Sequence, residues 1–120
     1  MEDNRYFEGI IQFDNSVYEI IATKTALETK GVAAMSTTFG DNVVSLFGRK
    51  NAMEGVKLQV LEDGSLQVSL HIVVYYGYRV PDIALRLQER VKTALVDMTE
   101  ATVNNVDIYV QDIVFENPIT

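Results

Sequence analysis

Residues 65–99, SLQVSLHIVVYYGYRVPDIALRLQERVKTALVDMT, decide the architecture. Their first half is a long apolar strand in which Leu66, Val68, Leu70, Ile72, Val74 and Tyr76 share one face. Gln67, Ser69, His71, Val73 and Tyr75 share the other, which is polar at its start and apolar at its end. The first face is expected to meet helices, with Tyr76 in the core, and the apolar end of the second to be covered. After Tyr76-Gly77, Pro81 pre-sets the backbone of a first helical turn, where its missing N–H costs nothing. Val80, Ile83, Ala84, Leu87, Val91, Ala94, Leu95 and Met98 then recur at helical spacing over about five turns. Asp82 and Arg86 stand four apart on the wet face, a favourable ion pair.

Upstream, Val56–Leu61 and Leu66–Tyr76 read as a hairpin around Asp63-Gly64, a dipeptide suited to a type I′ turn. Gly9–Phe13 (GIIQF) reads as a first strand. A helix follows, capped by Ser16 with Glu19 or by Asp14, with Val17, Ile20, Ile21 and Leu27 as its apolar stripe and Gly31 as its stop. Lys24 and Thr25 interrupt that stripe, so one edge of this helix is expected to be wet. Val32–Thr37 reads as a strand, and Phe39–Glu54 as a short helix or an ordered loop. At the other end Val106, Ile108 and Val110 alternate, and the apolar phase then shifts to Ile113 and Phe115, predicting a bulge near Asp112. The resulting order, β-α-β-β-β-α-β, predicts an α+β fold. It is a two-layer sandwich with a mixed or antiparallel sheet and two long helices on one face.

Composition bounds the rest. The 120 residues suit one domain spanning 1–120, with enough chain to bury a core without staples. No cysteine is present, which removes disulfides, thiolate metal sites and cysteine nucleophiles. A net charge of −7 argues against binding a phosphate backbone, and none of the seven glycines forms a P-loop, GxGxxG or GxxG motif. No apolar run reaches the length of a membrane span, and the charged first residues do not resemble a signal peptide. A cytoplasmic protein that reaches a membrane only through a partner is the expectation.

His71 is the sole histidine. Strand alternation puts it beside Ser69, but nothing around the pair resembles a nucleophile elbow, and two polar residues on a partly wet face account for it. The carboxylates are scattered with no spacing that announces an acid–base pair. Arg49-Lys50 is the one local basic spot near apolar residues. It reads either as an exposed loop end or as a dock for an acidic partner or a lipid headgroup. Val73, Tyr75, Tyr109, Ile113 and Phe115 are expected to form an apolar patch on the outer sheet face, covered by the Phe39–Glu54 segment or used as an interface.

Several segments taken in order carry a resemblance. They are TKGVAAM around Gly31-Val32, EGVKLQV around Gly55-Val56, VSLHIVVYYG, IALRLQERVKTALVDMT and VNNVDIYVQDIVFEN. Together they resemble the alkaline shock protein family of Gram-positive bacteria, which includes the general-stress Gls proteins. The chain is most similar to short members without a long polar tail, and it departs from many relatives at Pro81. The resemblance implies a cytoplasmic, non-enzymatic protein of cell-envelope homeostasis and stress, with no catalytic motif to carry over and no cofactor. It also implies self-association, or a protein partner such as a membrane-anchoring protein or a dihydroxyacetone-kinase-like fatty-acid kinase protein. The alternative is a module that binds a small molecule or an acyl chain for such a kinase partner, with Phe39–Glu54 as its lid.

Overall fold

The computed structural model describes residues 9–36 and 54–116. Within these residues six elements follow one another: α1 (Asn15–Leu27), β1 (Val32–Met35), β2 (Val56–Val60), β3 (Leu66–Tyr75), α2 (Val80–Thr99) and β4 (Val103–Val114). β3 is the axis of a four-stranded mixed sheet. Along one of its edges β2 and β1 lie end to end, both antiparallel to it. β2 pairs with Leu66–Leu70, and β1 with the stretch from Ile72 to Val74. β4 runs parallel along the whole of the other edge, as the α2 crossover between them allows. Both helices cover one face: α1 packs on β1, β2 and α2, and α2 also packs on β4. The α+β two-layer architecture read from the sequence is therefore the one found.

The apolar face of β3 is the floor of the core. Val68, Leu70, Ile72 and Val74 are fully buried, beneath Ile83, Leu87, Val91 and Leu95 of α2 and Ala22 and Ala26 of α1. A β-strand of alternating pattern and a helix with an apolar residue every third or fourth position can both hide one face only by stacking on each other, and here they do. Pro81 opens α2 as expected, and Asp82 pairs with Arg79 at 3.3 Å in the first turn instead of with Arg86. The phase shift in the last strand is also real. The ladder steps from Ile72↔Val110 to Val73↔Asp112, leaving Gln111 as the extra residue.

Several local expectations are corrected. Gly9–Phe13 is not a strand, and Ile10 and Ile11 stand 81% and 76% exposed. The observed order therefore lacks the first β. α1 is capped by Asp14, whose carboxylate accepts from the Ser16 N–H at 3.0 Å. That hydrogen bond favours the charged carboxylate and lowers the Asp14 pKa. The helix ends at Leu27, short of Gly31, and of its predicted stripe Ile20 and Leu27 face outward while Ala22, Thr23 and Ala26 are buried. Ile21 of the stripe does reach the core, with Val17 packed at its margin, and the small residues Ala22 and Ala26 fill the rest of the contact. β1 ends at Met35, before the predicted limit. Met98 is exposed on the last turn of α2.

Tyr76 is not a core residue. It follows the end of β3, beyond the reach of the helices, and is 66% exposed against the ring of Phe115 (centroids 5.1 Å apart). The hairpin turn is also not type I′, because Asp63 keeps a negative φ and only Gly64 is positive, at +88°. Gly64 N–H donates to the Leu61 carbonyl and Leu61 N–H to the Ser65 carbonyl. The result is a three-residue loop with its glycine in a bulge, the next most common hairpin connection after the two-residue turn. Asp63 holds that loop by accepting from both the N–H and the hydroxyl of Ser65 (2.9 and 2.6 Å), which lowers its pKa. The segment Phe39–Glu54, apart from Glu54, lies outside the described residues.

Candidate interaction surface

The sheet face opposite the helices is built by the odd-numbered residues of β3 and their partners on β4. In a parallel pair, residues in register point to the same side. The ladder therefore lines up Gln67 with Asn105, Ser69 with Asp107, His71 with Tyr109, Val73 with Asp112 and Tyr75 with Val114. The face grades from amide and carboxylate groups at one end to mainly aliphatic and aromatic groups at the other, as the strand pattern predicts, with Asp112 the exception beside Val73.

At its centre His71 and Tyr109 stack nearly parallel, with ring centroids 4.8 Å apart and an interplanar angle of 16°. His71 is only 6% exposed, while Tyr109 lies open. The backbone at this point is crowded as well. β1 ends and β2 begins beside the same residue: Ser36 N–H donates to the His71 carbonyl (2.8 Å), and His71 N–H donates to the Gly55 carbonyl (2.7 Å). Ser69 stands on the same face as His71, next to Asp107 across the ladder, and no hydrogen bond links the two side chains among the described residues.

Of the residues picked out in the sequence, the structure brings Val73, Tyr75 and Tyr109 onto this face. It separates Ile113 and Phe115 from them. The bulge at Gln111 puts Ile113 opposite Val74, a core residue, and so on the helix side of the sheet. Phe115 packs against Tyr76 at the same end. Because α2 does not extend over that end, Ile113, Phe115 and Tyr76 form an exposed apolar tip next to the outer face. The sequence showed the phase shift but not its consequence, which is that one apolar run is divided between two faces. Arg49 and Lys50 lie outside the described residues. Alternation already put His71 on this face, and Tyr76, expected in the core, is the residue it misplaced. The signal for Tyr76 was the glycine next to it, which marks the end of the strand.

No group of three or more His, Asp or Glu residues able to hold a metal ion occurs among the described residues. Shallow grooves occur among the described residues. One is lined by residues 11–14 and Tyr18, another by Thr25 of α1 with Glu89, Arg90, Thr93 and Ala94 of α2. No helix among the described residues is long and apolar enough to cross a membrane.

Comparison with known proteins places this chain. The chain is similar to the uncharacterized protein YqhY of Bacillus subtilis, with 33% identity over 108 residues, covering 90% of this chain and 79% of that one. It is 32% identical over 108 residues to the uncharacterized protein Spy1535 of Streptococcus pyogenes, covering 90% and 81% of the two chains. YloU of Bacillus subtilis, also uncharacterized, is 27% identical over 113 residues and covered to 92% in both. No solved structure matches. The model of the alkaline shock protein 23 family matches residues 3–115, nearly the whole chain including every element described above, and the chain belongs to that family, whose function is cell envelope-related.

Proposed function

We propose that this protein is a non-enzymatic interaction module of the cell-envelope machinery, and that it docks a protein partner on the outer face of its sheet. The observation that supports this most is the stretch from His71 to Tyr75 with Tyr109. It is a largely apolar and aromatic strip on the side away from both helices, with the Asp112 carboxylate beside Val73, Tyr109 open and Val73 and Tyr75 half-buried. Apolar strips rimmed by polar groups are favoured docking surfaces, and here Gln67, Asn105, Ser69 and Asp107 supply the rim. A family function at the envelope, in a chain without a membrane-crossing helix among its described residues, supports a partner that makes the envelope connection. A membrane-anchoring protein fits this role. The acyl-chain alternative depends on the segment Phe39–Glu54, and no observation on the described residues favours it.

The test is a crosslinked pull-down of the tagged protein from its host, with the wild type beside Val73→Glu/Tyr75→Glu. Both side chains point away from the core, so the variant is expected to keep its circular dichroism spectrum and lose the envelope protein recovered with the wild type. Recovery of the same protein by the folded variant removes the outer face as the docking surface.

A further inference from the structure

We infer that Gly9–Phe13 is an exchange strand, which leaves its own chain and adds to the open edge of β2 in a second copy. The inference starts from a mismatch. GIIQF has the composition of a strand, yet it pairs with nothing among the described residues and holds Ile10 and Ile11 in solvent. Two adjacent isoleucines exposed to this degree favour a state in which they are covered.

The sheet offers a place for them. Hydrogen bonds to β3 are made at Gly55 (to His71) and at Leu61 (to Ser65), and antiparallel bonding repeats every second residue between these positions. Val56, Leu58 and Val60 therefore turn their N–H and C=O groups to the other edge of β2, where no strand pairs among the described residues. That edge is five residues long, as is the GIIQF segment. It also lies under an unused apolar ledge. Ile20 and Leu27 of α1 are exposed, on the flank roughly opposite Thr25, which lines the groove against α2. They therefore overhang the β1–β2 side, and Val60 is exposed at the end of β2 on the helix side of the sheet. A fifth strand there would cover Val60, Ile20 and Leu27 together.

The other outer edge is less available. On β4 the Val106 carbonyl accepts from the Gln88 side chain of α2 (3.0 Å), and the Ile113 N–H is held by Asp112 (2.8 Å), so two of the groups along that edge are already engaged. The occupant is a second copy because the chain's own segment is too closely tethered. Asp14 alone separates Phe13 from the first residue of α1, whereas strand-to-helix connections use two to six residues. Placing GIIQF beneath its own α1 would unwind the cap and first turn, and placing it beneath a neighbour's α1 would not. This surface is separate from the outer face, and the inference does not rest on the partner reading above.

The chain has no cysteine, so single cysteines report contacts cleanly. Gln12→Cys and Gln59→Cys proteins, both altered at exposed sites, are mixed in equal amounts, oxidised and mapped by mass spectrometry. A Gln12→Cys/Asn104→Cys mixture serves as the control for the β4 edge. The expected result is an intermolecular disulfide in the first mixture and not in the control. Ile10→Glu/Ile11→Glu is expected to keep the monomer's circular dichroism and to abolish association measured by analytical ultracentrifugation. Three results overturn the inference: a wild type that stays monomeric at every concentration, a link that forms equally to β4, or association undiminished in Ile10→Glu/Ile11→Glu.

Discussion

Gly55 stands at the tightest point of the sheet, where β1 ends, β2 begins and both bond to His71. Its φ is +83°, and a Cβ there would lie 2.9 Å from the His71 carbonyl oxygen, 3.0 Å from Met35 Cβ and 3.1 Å from the Ser36 carbonyl oxygen. Two of these neighbours are backbone atoms held in the ladder and cannot give way. Gly64 has a similar φ of +88° but open space around it. Gly55→Ala therefore combines backbone strain with a steric clash and is expected to cost about 2–4 kcal/mol, whereas Gly64→Ala carries the strain alone at about 1 kcal/mol. Urea denaturation of the two variants measures the difference. Sequence reading found both glycines but gave a role only to Gly64, since the neighbours that make Gly55 necessary come from strands far apart in the chain. The same limit applies to Tyr76: alternation assigns it to the core, and only the end of helical cover leaves it exposed.

At the scale of elements, the long segments were legible and the short connections were not. β3 and α2 each repeat their period over enough residues to be unambiguous, and both were found where the pattern put them. In the β2–β3 hairpin, Asp-Gly indicated a tight turn. What it could not indicate was that Asp63 would bond to Ser65 and make a three-residue loop. That bond sets a pH dependence. The folded-state pKa of Asp63 lies below its ordinary value of 3.8, so its contribution to stability is complete above that value and is lost as pH falls through the depressed one. Asp63→Ala is expected to lower the denaturation midpoint at about pH 7 and to differ less from the wild type at about pH 2, because protonation of the carboxylate removes the contribution. Thermal melts at the two pH values test this. GIIQF is the converse case. Its composition favours a strand, but a strand needs a neighbour, and none is supplied within the described chain.

For the whole molecule, β3 sets the hierarchy of stability. Among the described strands it is the one paired along both edges and covered by the layer of both helices, and its core-facing apolar side chains are fully buried. Amide hydrogen exchange is expected to be slowest at Val68, Leu70, Ile72 and Val74, which bond toward β4 over its full length, and faster along β2 and at Ile113 near the tip. Exchange as fast in β3 as in β2 would show that the sheet opens as a single unit. By itself the sequence determined the fold class, the two principal elements, the bulge in the last strand and the family, because each is written in local periodicity or in an ordered set of short segments. Only the tertiary structure decided that β1 and β2 share one edge of β3 end to end and that β4 runs parallel on the other. It alone decided that the bulge sends Ile113 to the helix side while Tyr109 stays outside, and that the edge of β2 pairs with no strand among the described residues. These depend on which strands become neighbours, and period-two alternation specifies which residues share a face without specifying what that face or edge will meet.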